Sequence, residues 1–289
     1  MTSKRETIKR LLIYLVLAFG ISCLPELIFI WTGGDLNSPT YEMIAIFTMF
    51  GPAVANLLTR LITKEGFQNM YLRVNLKGNI RYYLLAIGIP FFYSILSGII
   101  LSLIYGGFLQ AEAFKEMPVG TFLLFICFLV GVSVAVFFYT MGEELGWRGY
   151  MTPKLEELMG TPAALVTGGI IWGLWHLPGL MTGRNGSLWV SLLLQCVICF
   201  SMGAILTWLT KKTKSLYPAA ICHAIHNNAV MGLLLLFVTE KTVAEHRISM
   251  QIWSAATTFL FGIVAFILLI RDAKKANTNA VKGQEETQV

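Results

Sequence analysis

Charge is what this sequence has least of. Only 13% of its 289 residues are Asp, Glu, Lys or Arg, whereas 56% are hydrophobic and the mean hydropathy is +0.67. Soluble domains carry about 25% charged residues, so a soluble globular chain is excluded. Cysteine is scarce as well. The five cysteines all lie in apolar runs, which argues against a disulfide framework. Cys196 and Cys199 form a CxxC, but inside a hydrophobic segment, where they read as small buried residues one turn apart. GxSxG, P-loop and HExxH patterns are missing, which removes the serine-hydrolase elbow, the nucleotide loop and the zincin helix. No serine or cysteine stands beside an evident base. Neither an internal repeat nor a low-complexity tract is found.

What is present is long apolar runs. A bilayer core takes about 20 mainly apolar residues per helix. Eight segments qualify, at roughly 11–31, 41–63, 82–107, 119–141, 162–181, 188–210, 215–237 and 251–270. The first run is too long for the core of a cleaved signal, about 7–15 residues, and is expected to remain as a helix. The pattern therefore predicts an all-α, polytopic membrane protein with about eight transmembrane helices. Residues 1–275 form one helical domain, and the polar stretch 276–289 is a disordered cytoplasmic tail.

The basic residues set the orientation. With the N-terminus inside, the inner segments hold 18 of the 22 lysines and arginines and the outer loops hold 4. That bias is the positive-inside rule, and it gives N-in and C-in. The net charge of +6 is thus a topology signal and implies no nucleic-acid partner. Trp31, Trp189 and Trp253 fall at outer helix ends and Trp208 at an inner one, as amphipathic rings prefer. Trp172 and Trp175 fall outside this belt and stand beside a histidine.

Ionisable groups inside membrane segments are costly, about 2.5–3.5 kcal/mol each on insertion scales, and usually mark function. Three clusters qualify. Directly after an uncharged run, 121–140, comes MGEELGWRGYM, with Glu143, Glu144 and Arg148. Glu144 and Arg148 are one helical turn apart and can pair, whereas Glu143 points about 100° away. The plain alternative is a cytoplasmic helix cap. His176 ends Trp172-Gly-Leu-Trp175-His176, where a packing histidine is the alternative. The third cluster is His223-Ala-Ile-His226-Asn227-Asn228, in which His223 and Asn227 share a face. His226 and Asn228 point elsewhere, and His246 reads as solvated loop. A carboxylate, imidazoles and an amide suit the activation of water and the holding of an oxyanion. Glu143, His176 and His223 could instead bind a divalent metal such as zinc, which acidifies its water.

The order EExxxR, aromatic-xxx-His, HxxxN on three polar-bearing segments resembles the CAAX-protease and bacteriocin-processing family of intramembrane endopeptidases, of the type II CAAX prenyl endopeptidase kind. The resemblance covers roughly residues 119–237, and its second motif begins with Trp172 where the family usually has Phe. It implies a peptidase in which Glu143 is catalytic and His176 helps hold the water. His223 and Asn227 form the oxyanion side, and Glu144 with Arg148 fixes the site. Trp172 and Trp175 are expected to shape the substrate pocket. No cofactor is required if the glutamate and histidines suffice; the zinc alternative stays open. The implied partner is a membrane-associated protein or lipidated peptide, such as a prenylated CAAX protein, met within the bilayer. The short loops and simple layout suggest a prokaryotic plasma-membrane protein. Two other functions compete: a non-catalytic immunity or scaffold protein of the same fold, and a proton-coupled transporter.

Geometry adds one requirement. For these groups to meet, the fourth helix must run past Glu143 towards Met151. The fifth must break at Leu177-Pro178-Gly179. The four side chains should then share a cavity reached from the cytoplasmic half.

Overall fold

A computed structural model describes residues 3–105, 118–182, 187–234 and 237–286. Among the described residues every regular element is helical. They are α1 (Lys4–Trp31), α2 (Pro39–Thr48), α3 (Gly51–Thr63), α4 (Ile80–Tyr105), α5 (Val119–Gly146), α6 (Thr152–Trp175), α7 (Leu177–Met181), α8 (Leu188–Thr213), α9 (Tyr217–Leu234), α10 (Glu240–Glu245) and α11 (Arg247–Glu286). A π-helical turn, Trp147–Met151, joins α5 to α6. Helix starts follow local chemistry. The Ser3 hydroxyl accepts from the amide of Glu6 to cap α1, and Ser38 caps α2 ahead of Pro39.

Helices occupy all eight expected segments, but a count of eight spans is not reached. Among the described residues five stretches are long and apolar enough to cross a bilayer, or six if the α2–α3 pair, bent by 40°, is one span. Two physical reasons account for the difference. Residues 119–175 form one helical course, so the fourth and fifth segments are not separated by a loop. A straight rod of that length would measure about 85 Å, against a core of about 30 Å, so the chain must turn. It does so at Gly160, whose φ of 76° and ψ of 165° are open chiefly to glycine. Beyond it the helix folds back, bringing Gly168 beside Met151 and Leu155. The other shortfall is α9, which is short and carries His223, His226, Asn227 and Asn228 among its apolar residues. At the C-terminus, residues 276–286 continue α11, where a disordered tail was expected; the Ala, Lys, Gln and Glu of this stretch are good helix formers. Lys115 and Arg184, two of the outer basic residues, lie outside the described residues.

Helix α8 forms the spine of the bundle, with α6 and α11 packed along it, while α9 lies between α4 and α5. Helix α1 packs on α3 and α6. The main core gathers Tyr14, Trp147, Tyr150, Trp172 and Trp175 with residues of α8 and α9. Charges assigned to the inner side meet at one end. Glu65 accepts from Arg10 at 3.0 Å and lies 3.4 Å from Lys154, and Lys211 pairs with Glu156 and Lys212 with Asp272. These ion pairs give the bundle a polar base from which depth can be measured.

Helices α3 and α5 touch backbone to backbone. A Cβ on Gly146 would stand 2.3 Å from the Pro52 Cβ and 2.5 Å from its carbonyl carbon. A proline backbone at a helix start cannot retreat easily. Gly146→Ala should therefore destabilise the fold by about 1–3 kcal/mol, read as a lowered midpoint of thermal unfolding in detergent.

Candidate active site

The site begins with one buried carboxylate. Glu144 is fully enclosed, and its Oε1 accepts from Arg148 at 3.0 Å and from His223 Nδ1 at 2.9 Å. The first bond is the i, i+4 pair expected on one helix. The second crosses from α5 to α9. Because the carboxylate can only accept, His223 must carry its proton on Nδ1. Arg148 is 3% exposed, and its guanidinium lies 4.2 Å from the centroid of the Trp172 ring. The arginine is thus held by a charge on one side and a ring face on the other.

Trp172 does a second task. Its Nε1 donates to Glu143 Oε2 at 2.9 Å, and its backbone carbonyl accepts from His176 Nδ1 at 2.8 Å. A carbonyl cannot donate, so His176 also holds its proton on Nδ1 and leaves the Nε2 lone pair free. The bond forms because α6 ends there: His176 is the C-cap residue, followed by Leu177-Pro178 and the short α7. One residue therefore places both Glu143 and His176. Trp172 itself is buried behind them and is not a cavity wall. Trp175 is, with its ring edge-on to that of His176 at 5.0 Å.

Glu143, His176, His223 and Asn227 all line one cavity of about 240 Å³. Asn227 is exposed to it, and His223 is 4% exposed. The opposite wall comes from α1 and α2, with Ser22, Cys23, Glu26, Ala45 and Thr48. Sequence reading missed that wall. Glu26 is a second carboxylate lining the chamber, beside Glu143, and its only local signal is an acidic residue in an apolar run. Eleven positions separate Glu143 from Lys154, and thirteen separate Arg10 from Cys23, about 16 and 20 Å of helix respectively. The cavity thus lies about 16–20 Å of helix above the polar base.

His226 faces away from the cavity, its Nδ1 2.6 Å from the hydroxyl of Tyr93 on α4. As for a metal, Glu143, His176 and His223 share the cavity without converging. Among the described residues no three His, Cys, Asp or Glu stand together as a ligand group. Glu143 Oε2 and both Nδ1 atoms are engaged, which leaves Nε2 of each histidine and the second Glu143 oxygen uncommitted, as in a histidine whose outer N–H is held while the other nitrogen serves as a ligand.

Residues 120–229 match the family model described as type II CAAX prenyl endopeptidase, Rce1-like. The chain is also 32% identical, over 157 residues, to a protein of Methanococcus maripaludis named CAAX prenyl protease 2. That similarity covers 51% of this chain and 54% of the relative, so the chain spans about half the length of the curated relative it matches. The matched family segment includes Glu143, Glu144, Arg148, Trp172, His176, His223 and Asn227, but not Glu26 or the rest of the α1–α2 wall.

Removing one partner of a buried ion pair leaves a bare charge, at a cost of about 3–5 kcal/mol. Arg148→Met keeps much of the volume but leaves Glu144 with His223 alone. It should lower the thermal midpoint more than a matched Lys241→Met change in the exposed Lys241–Glu245 pair, whose atoms are 3.9 Å apart.

Proposed function

From the match of residues 120–229 to the Rce1-like type II CAAX prenyl endopeptidase family, we propose that the chain is a multi-pass membrane endopeptidase of that kind. It hydrolyses a peptide bond near the C-terminus of a membrane-associated protein or lipidated peptide, with prenylated CAAX proteins as the leading substrate class. One observation carries the reading. Glu143, His176, His223 and Asn227, from three helical elements, face a single cavity sunk between apolar helices.

The chemistry divides between acceptors and donors. The remaining oxygen of Glu143 and Nε2 of His176 both accept, so a water lying between them donates one hydrogen to each and turns its lone pair outward. Glu143 then removes a proton as the water oxygen attacks the amide carbon. Charge develops on the former carbonyl oxygen. Asn227 donates to it through its amide. His223, its Nδ1–H held by Glu144, donates through Nε2–H when both ring nitrogens carry a proton. When the carbon–nitrogen bond breaks, Glu143 passes its proton to the leaving amine. Trp172 holds the base and the water-binding imidazole in register throughout. All of these groups are protein side chains, and no step passes through a metal.

A farnesylated CAAX peptide incubated with the purified chain in liposomes should release its C-terminal tripeptide, and a chelator should not stop it. Glu143→Gln should lower the rate by about 10²–10⁴-fold, as for loss of a general base. Asn227→Ala should cost about 10²–10³-fold, as for loss of one oxyanion donor. Full cleavage by the Glu143→Gln protein would overturn the assignment. Absence of any cleavage, with a cellular phenotype surviving both changes, would favour a scaffold that acts by binding.

A further inference from the structure

Glu26 has no role in the reaction just described, yet its carboxylate faces the same chamber. The Tyr41 hydroxyl donates to its Oε1 at 2.7 Å. Tyr41 is itself held by the ring of Phe29, stacked at 5.8 Å with 29° between planes. The carboxylate is therefore fixed from α2 before anything binds, with Oε2 left over. The backbone opposite is bare, because Gly179 presents no side chain and a Cβ there would be 3.5 Å from Glu26 Oε1.

Its charge is also unanswered. Glu144 has Arg148, and Glu65 has Arg10 and Lys154. No lysine, arginine or histidine among the described residues pairs with Glu26 in the same way. An ionised carboxylate within a membrane chamber is costly unless paired. The missing cation can come with the ligand.

The size of the chamber limits where that cation sits. About 240 Å³ is the liquid volume of about eight waters, enough for one side chain beside the reacting amide. We propose that Glu26, preset by Tyr41, is a cation-accepting subsite, so that this chain selects peptides with a lysine or arginine close to the bond cut. The same charge disfavours an acidic side chain in that place. Both residues lie outside the matched segment 120–229, as suits a selectivity device added to shared chemistry. The inference rests on the endopeptidase reading, but binding tests it apart from turnover.

The probe is a fluorescent farnesyl-cysteine peptide series in which lysine replaces norleucine at each position in turn. Binding to the full chain carrying Glu143→Gln is followed by anisotropy in nanodiscs, and cleavage is followed with unmodified chain. At one position lysine should tighten binding by about tenfold or more, as for a charge-assisted hydrogen bond. The preference should appear mainly in KM. Adding Glu26→Gln should erase it, Tyr41→Phe should weaken it, and Glu26→Lys should reverse it in favour of glutamate. A merely structural Glu26 would not yield that reversal. The subsite is refuted if no position favours lysine, or if the preference survives Glu26→Gln. A binding preference without tripeptide release would instead sink the endopeptidase reading and leave the subsite standing.

Discussion

The structure turns on a single carboxylate oxygen. Glu144 Oε1 receives both Arg148 and His223 within a bundle that has almost no other buried charge partners at that depth. Glu144 and Arg148 pair within one helical course, and His223 joins them from α9. An arginine or a glutamate in this setting costs several kcal/mol, and only mutual pairing with good geometry offsets it. The His223 bond then ties α9 to that pair. Once Arg148 is anchored, its guanidinium gives Trp172 a face to stack on, and Trp172 in turn holds Glu143 and His176. The reactive groups are set by a support layer one residue deeper.

The π turn belongs to the same logic. Residues Trp147–Met151 are all buried, and wider turns of this kind recur at functional sites. Tyr150 and Trp147 from the turn pack around Tyr14 of α1. Arg60 reaches the Gly149 carbonyl, and Tyr150 donates to Glu65. The turn is thus clamped by α1, α3 and the polar base, while the arginine inside it serves the site above. A helix that must pack on one neighbour while aiming Arg148 at another needs its phase shifted, and an extra residue in one turn does that.

Much of this was readable in the residues. The apolar runs located the helices, the lysine and arginine bias put the ion pairs at one end, and the four-residue spacing of Glu144 and Arg148 implied their contact. The EExxxR, WxxxH and HxxxN motifs identified which polar groups meet. Other features were hidden for specific reasons. The turn at Gly160 reads as a loop between spans in the sequence, because a lone glycine does not announce a positive-φ backbone. Trp172 was read as pocket lining, since a sequence does not show that its N–H and its carbonyl serve different partners. Glu26 and Tyr41 are fifteen residues apart on separate helices, and no local spacing links them. His226 meets Tyr93 across 133 positions, which no local spacing links either.

The division of the chamber between two parts of the chain has a wider meaning. The wall with Glu143, His176, His223 and Asn227 comes from the segment that matches the protease-family model, and its facing wall comes from α1 and α2. On the proposed reading, chemistry and choice of substrate are carried by separable lengths of polypeptide. Relatives that keep the one and exchange the other can inherit the means of breaking a bond while changing whose bond is broken.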